Sequence, residues 1–500
     1  RLVGSEMCLR DSKYPMIQRI FNAYNMQERN TEMISIDKTS DKSLYEQLYE
    51  QMKSEILNEH YAAGEKLPAT RQLAAEHKLS RNTVVSAYNQ LELEGYIRSV
   101  TGSGYYVENI SAFSPDKKSG QSHNIQHSSR QSGKTFDYTF SYGNLNYNCY
   151  HSRAWRKCLT NAWDMISMAD TASYQMSQGS YTLRSLITEY LYMSRGVNCT
   201  PEQIILTSGH QRSIDIITHI FSPSDYSFAM EDPGYNGTWE IVSQSPFRII
   251  PIPLDDDGVS IEHIQRLRDT LLYVTPSHQF PMGSILPISK RLELIEWAVQ
   301  SGSYIIEDDY DSELRYQSRP IPSLQSIDNS GRTIYLGTFS KSMSPDLRIS
   351  YMVLPENLMK DYSSRYSHTN CTVPTVLQLA LIEFIQSGNY QRHIGAMKNH
   401  YKKKHDYILN YVKQNLEDDV IMYGAGAGLH FVAEIKNSYL TQSELISAFE
   451  QKGIRIFSTE PFWIRKNLCP ENQLLFGFSA IPYEKLPGAM ETFSKIIHSL

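Results

Sequence analysis

The sequence predicts a multidomain chain: a small, mostly α-helical unit closed by a short hairpin, then a large α/β domain. Three observations carry this. Between 44 and 107 the order reads helix, short helix, tight turn, longer helix and two short strands. Between 108 and 134 the composition shifts to Ser, Gln, His, Lys and Gly, that of a mobile linker. From Thr135 to Leu500 short apolar runs alternate with helical stretches, as in a parallel or mixed sheet covered by helices. Five hundred residues also exceed the roughly 100–200 of one ordinary domain.

Composition narrows the class. Hydrophobic content of 41% and charged content of 20% are globular values. A net charge of −6 argues against nucleic-acid binding by bulk charge alone. No uninterrupted apolar run reaches bilayer length, so no membrane partner is expected. The stretch Arg1–Glu6 lacks the pattern of a signal peptide, and the six cysteines are scattered without metal or C-x-x-C spacing. Reduced thiols in a cytoplasmic protein are the expectation. Met33-Ile34-Ser35-Ile36-Asp37 reads as a natural start, which sets 1–32 apart as an N-terminal extension, upstream or appended.

The first unit spans 33–107. Leu44, Leu48, Met52 and Ile56 recur every fourth residue and share one helical face. Gly64 to Pro68 breaks that helix, and a short one runs from Thr70 to about Glu76. Ser80 is a good N-cap for a helix to about Glu94, which Gly95 stops. Short strands over 96–100 and 105–107 flank Thr101-Gly102-Ser103-Gly104. This is the winged helix-turn-helix order, in which the longer helix enters the major groove.

That helix begins with Arg81, Asn82 and Thr83, where base edges are reached, and Arg and Asn can pair bidentately with guanine and adenine. Lys66 and Arg71 are placed to hold phosphates, and the small wing tip Gly102-Ser103-Gly104 lets backbone approach DNA. The alternative is a helical adaptor for protein. Residues 33–108 hold eight Lys and Arg against eleven Asp and Glu, a net of −3, whereas DNA-binding domains are usually basic. The turn and reading helix are nevertheless locally positive, with Lys66, Arg71, Lys78 and Arg81 against Glu76. Leu67-Pro68-Ala69-Thr70-Arg71-Gln72-Leu73-Ala74, Ser80-Arg81-Asn82-Thr83-Val84 and Leu91-Glu92-Leu93-Glu94-Gly95-Tyr96-Ile97 closely resemble the GntR-type winged-helix domain. The resemblance implies double-stranded operator DNA as partner.

The large domain spans 135–500, with strands expected over 203–207, 271–275, 303–307 and 333–336 and a smaller lobe from about 401. Thr338-Phe339-Ser340-Lys341 follows a strand; a lysine there can form a Schiff base with an aldehyde. Seven residues on, Arg348 offers a fork for phosphate. Asp308-Asp309-Tyr310-Asp311 ends another strand, and a carboxylate there can hold a protonated pyridine nitrogen. A metal is the alternative for these acids, but no ligand partner sits at helix-face spacing nearby. Ser208-Gly209-His210-Gln211 lies between strand and helix, an anion site at a helix N-terminus. Asp232-Pro233-Gly234-Tyr235 presents an aromatic suited to cover a flat ring.

In this order the set resembles the fold-type I pyridoxal 5'-phosphate (PLP) aminotransferases. The resemblance implies that Lys341 bonds the cofactor aldehyde, Asp308 pairs with the pyridine nitrogen, Tyr310 bonds the phenolic oxygen and Tyr235 stacks on the ring. It places Ser208, Gly209, His210, Thr338, Ser340 and Arg348 around the phosphate, and makes Tyr174 a residue lent to the partner of a homodimer. A GntR-type domain, a polar linker and an aminotransferase-like domain form the layout of the MocR/GabR family of bacterial regulators. The stretches 274–281 and 306–313 are very close to that family's pattern.

Two departures from working aminotransferases favour sensing over turnover. Phe280 stands where those enzymes usually carry Asn, and cannot hydrogen-bond a ring oxygen. The late strand Leu474 to Ala480 lacks their carboxylate-clamping Arg; Arg455 and Arg465 are the nearest candidates. The sequence therefore reads as a PLP-dependent, DNA-binding transcriptional regulator without an enzyme's turnover. Its effector is an amino acid, an amine or PLP itself. The alternative is an active aminotransferase with an accessory DNA-binding domain.

Overall fold

A computed structural model describes residues 35–37, 40, 42–109, 135–168, 174–316 and 321–500. The extension 1–32 lies outside the described residues, as does 110–134 of the expected linker. The described residues divide into two compact units, one within 35–109 and one within 135–500.

In the first unit the opening helix is Leu44–Leu57. Ser43 caps it: its hydroxyl accepts from the Glu46 amide, and the Glu46 carboxylate accepts from the Ser43 amide. Leu48, Met52 and Ile56 are buried as the four-residue spacing predicts, while Leu44 is only half-buried. The short helix Thr70–Glu76 and the longer helix Arg81–Leu93 bring Leu73, Val84, Ala87, Tyr88 and Leu91 into the same core. Burying each large apolar side chain stabilises by roughly 1.5–3 kcal/mol. Strands β1 (Ile97–Val100) and β2 (Gly104–Val107) pair antiparallel, and Ile97 and Val107 close the core. Gly102, at φ 76°, makes the turn between them.

The second unit begins with β3 (Tyr138–Thr139). Its large sheet contains β4 (Ile204–Thr207), β5 (Ser227–Asp232), β6 (Ile249–Asp255), β7 (Gly258–Val259), β8 (Thr270–Val274), β9 (Tyr304–Asp309), β10 (Thr333–Thr338) and β11 (Ser350–Val353). Their order across the sheet is β4-β11-β10-β9-β8-β5-β6-β7. The central run β10-β9-β8-β5-β6 is parallel, whereas β11 is antiparallel to both neighbours. Every residue of β8 and β9 is buried, including the acidic Glu307, Asp308 and Asp309 that end β9. Parallel strands present their carboxyl ends on one edge, the usual ligand crevice of such sheets.

Two strands run two residues past their expected ends. β9 continues through Asp309, so Asp308 lies inside the strand, and β10 continues to Thr338. A second sheet, β12 (Val420–Tyr423), β13 (His430–Ile435), β15 (Phe457–Ser458) and β16 (Gln473–Gly477), runs in the order β12-β13-β16-β15, and β14 (Ile454–Arg455) pairs with β3. Its core also takes Phe140, Leu314, Tyr316 and Met397, all upstream of 401. The smaller lobe is thus assembled from distant parts of the chain, because its sheet alone cannot cover its apolar face.

Candidate functional site

The carboxyl ends of β8, β9 and β10 meet the start of the helix His210–Ile220 around a cavity of about 410 Å³. Lys341 lies three residues past the end of β10 and lines it, with Nζ 3.9 Å from the centre of the Tyr142 ring. Burial pushes the Lys341 amine down to about 8, against the pull of Asp311 and Asp308. Part of this lysine is therefore neutral, and nucleophilic, near neutral pH.

Asp308 faces the same cavity from β9. Tyr273 Oη donates to its Oδ2 at 2.5 Å, and His210 Nδ1 lies 3.5 Å away. Burial raises the Asp308 carboxyl, and His210 and the Tyr273 hydroxyl oppose it. His210 is also held by Thr238 Oγ1 at 2.9 Å. It stands beside the carboxylate, not only at the helix N-terminus where an anion would sit.

Arg348 lines the cavity from a left-handed backbone position, φ 50°. Its guanidinium lies against Gly209, where a Cβ would fall on it. Gly209 itself sits at φ 116°, a conformation that favours glycine. Tyr235 and Tyr310 form aromatic walls, with Phe280 at 5.6 and 6.0 Å between ring centres. Ser340 and Thr338 line the floor; the Thr338 hydroxyl accepts from the Ser340 amide at 3.1 Å and from the Ser350 hydroxyl at 2.8 Å.

Three predicted residues, Ser208, Gly209 and Tyr174, are not among the cavity's lining residues, and Tyr174 was expected at a partner's site. The Ser208 amide donates to Thr372 Oγ1 at 3.0 Å, and Ser208 is not among the cavity's lining residues. Tyr174 is 92% exposed and away from this chain's own cavity.

In the first unit, Arg81, Asn82 and Arg71 are exposed. The Thr83 hydroxyl is 2.8 Å from its own N-cap Ser80, and the Ser103 hydroxyl 2.6 Å from Tyr106 Oη. Both are engaged internally. Lys66 is exposed and lies along β2, its Cε 3.2 Å from where a Gly104 Cβ would be. Gly102, at the wing tip, is exposed. Lys42, Lys53 and Arg98 are paired with Glu50, Glu94 and Glu108. Among the described residues Lys66, Arg71, Lys78 and Arg81 are exposed and make no ion pair.

Residues 44–107 match the family "Bacterial regulatory proteins, gntR family", and 140–475 match "Aminotransferase class I and II". The chain is 39% identical over 451 residues to YdeL, an uncharacterized HTH-type transcriptional regulator of Bacillus subtilis strain 168; the match covers 89% of this chain and 95% of that one. It is 32% identical to the probable rhizopine catabolism regulatory protein MocR of Rhizobium meliloti, over 84% and 87% of the two chains. The chain belongs to the MocR/GabR family. Its second unit also resembles the kynurenine aminotransferase of Pyrococcus horikoshii, with a TM-score of 0.64, 23% identity and coverage of 74% and 92%. That likeness shows the aminotransferase fold.

Within this MocR/GabR-family chain the site holds residues that motif reading overlooked. Tyr142 lies under Lys341, Tyr273 binds Asp308, and Thr238 holds His210. Asn144, Gln211, Asn236 and Phe462 also line the cavity. Neither candidate arginine is a lining residue. Arg465 Nε donates to Asp232 Oδ2 at 2.7 Å, and Arg455 packs over the rings of Phe136 and Phe457. Among the described residues, no helix is long and apolar enough to cross a membrane.

Proposed function

We propose that this MocR/GabR-family chain is a transcriptional regulator that binds operator DNA through its first unit and PLP through its second. The residues fit that cofactor. A buried lysine and a buried carboxylate share one cavity, aromatic walls flank a space for a flat ring, and an arginine lies in a cradle only glycine permits. Lys341 would bond the aldehyde, Asp308 would hold the proton on the pyridine nitrogen, and Tyr235 would cover the ring. Arg348, with Ser340, Thr338 and the amides after Gly209, would hold the phosphate. When bound, the cofactor supplies a carbon that exchanges one primary amine for another, which makes the site responsive to amines.

The observation that carries the reading is that Lys341 and Asp308 line one cavity, in a chain whose first unit also presents Lys66, Arg71, Lys78 and Arg81 exposed. Regulation without turnover is supported by the two arginines, Arg465 and Arg455, whose side chains are engaged outside the cavity. Positioning by a carboxylate clamp is what speeds the chemistry in enzymes. The effector class is an amino acid, an amine or PLP, and it must favour one arrangement of the reading helices to switch anything. A homodimer is supported by the exposed Tyr174 and by exposed apolar side chains including Trp163, Met165, Met168 and Met193. Two tethered reading units would then gain affinity through effective concentration.

The test is a spectral titration of the PLP-loaded protein with a panel of amines and amino acids, paired with DNA-binding assays at stated salt. A spectral response accompanied by altered DNA affinity is expected. Sustained turnover with a keto acid, abolished in Lys341→Ala, would replace this reading with an active aminotransferase.

A further inference from the structure

One wall of the cavity, Tyr310, rests on a buried polar pair, His278 and Asp311, to which the resemblance gives no role. His278, Asp311 and Tyr310 are 2%, 3% and 9% exposed. His278 Nδ1 lies 2.8 Å from Asp311 Oδ2 and 3.0 Å from Tyr310 Oη. His278 Nε2 is buried and has no hydrogen-bond partner among the described residues.

Two contacts at one ring nitrogen constrain the protons. A neutral imidazole carries one N–H. On Nε2 it would be buried without an acceptor, while the Nδ1 lone pair faced a carboxylate. On Nδ1 it makes a charge-assisted bond to Asp311 and leaves Nε2 as a bare acceptor. The network thus assigns the proton to Nδ1. That nitrogen then has no lone pair for Tyr310, so the tyrosine hydroxyl cannot donate to His278. Its oxygen can accept, and its proton is left for the cavity that Tyr310 lines.

Packing holds the pair in place. A Cβ at Gly428 would fall on the His278 ring and lie 2.7 Å from Asp311 Oδ2; one at Gly283 would lie 3.0 Å from His278 Nε2. Both glycines have positive φ, 79° and 74°. The other groups facing the cluster are Lys341, Asp308 from β9, Tyr142, Tyr273 from β8, Arg315 and His430 from β13. Burial drives His430 down to about 3, so it contributes no charge, and its Nε2 lies 3.0 Å from the Pro281 carbonyl oxygen. Burial raises the Tyr310 hydroxyl, which keeps its proton.

We propose that His278, held by Asp311, is a positioning residue that turns the Tyr310 hydroxyl proton into the cavity, toward the phenolic oxygen of bound PLP. In this chain the pair supports through Tyr310 a contact that Phe280 cannot make. The proposal rests on the PLP reading above.

The experiment is a pH titration of the visible absorption of the PLP-loaded full-length protein. A donated hydrogen bond favours the deprotonated, anionic ring oxygen, so losing it raises the titration midpoint. His278→Phe is expected to raise the midpoint by about one pH unit, a tenfold change in the proton equilibrium. Tyr310→Phe should do the same, and the double variant should move no further, because the two changes remove one interaction. His278→Asn, whose amide can donate to Asp311, should bring the midpoint most of the way back to the parent value. If His278→Phe does not load, Asp311→Leu gives the same reading, since it removes the acceptor that fixes the Nδ1 proton. A coloured His278→Phe or Asp311→Leu protein with the parent midpoint overturns the proposal, as do additive shifts in the double variant. A parent protein that takes no colour with PLP overturns the cofactor reading, and this proposal with it.

Discussion

Gly209→Ala is a one-carbon test of the proposed phosphate cradle. The Cβ would fall on the Arg348 guanidinium, the free end of a flexible side chain, so the guanidinium moves and the backbone around it need not. The backbone at φ 116°, ψ 164° lies in a region that essentially only glycine adopts, and adds strain of roughly 1–3 kcal/mol, read as a loss of stability. The larger effect falls on binding. Displacing one charge-assisted contact to phosphate removes about 1.5–3 kcal/mol, which is roughly a tenfold to hundredfold loss of PLP affinity. The assay is titration of the apo-protein with PLP, followed by visible absorption, alongside thermal unfolding without cofactor. Arg348→Ala should lose comparable affinity without the backbone strain. Parent-like affinity in Gly209→Ala, with Arg348→Ala also unaffected, would refute the placement of the phosphate.

The reaction of apo-protein with PLP should accelerate as pH rises through about 8, because the neutral amine of Lys341 is the reactive form, and a midpoint near an ordinary lysine's would contradict its burial. Arg81→Ala should weaken operator binding by about 1–3 kcal/mol in a DNA-binding assay, with PLP binding unchanged. Lys66→Ala should weaken binding uniformly across sequences and lower the salt dependence by about one counterion. Ser80→Ala removes the hydroxyl that accepts from the Thr83 amide at 3.0 Å, and should destabilise the first unit by about 1 kcal/mol in thermal or denaturant unfolding.

The first unit was legible because its signals are local. The Ser80 cap, the burial of Val84, Ala87, Tyr88 and Leu91 along one face, and the glycine turn each lie within a few residues of what they specify. Lys341 and Asp308 were legible for a similar reason, since both sit at or near the carboxyl ends of apolar strands. What was missed depends on pairing between distant segments. Tyr273 reaches Asp308 because β8 and β9 are parallel neighbours with Tyr273 opposite Ile306, a register no short motif encodes. Tyr142 comes under Lys341 from far upstream in the chain. Ser208 lies in the right loop, yet its amide turns to Thr372, on a segment that sequence reading did not place beside it. Arg465, one of the two nearest candidates for a carboxylate clamp, is held by Asp232, far away in sequence.

Reductive trapping tests the central claim most directly. The full-length protein is incubated with PLP, reduced with borohydride, digested and mapped by mass. A pyridoxyl-phosphate mass on the peptide containing Lys341, absent in Lys341→Ala, is the predicted result. A protein that carries no label, or carries it on another lysine, would contradict the account.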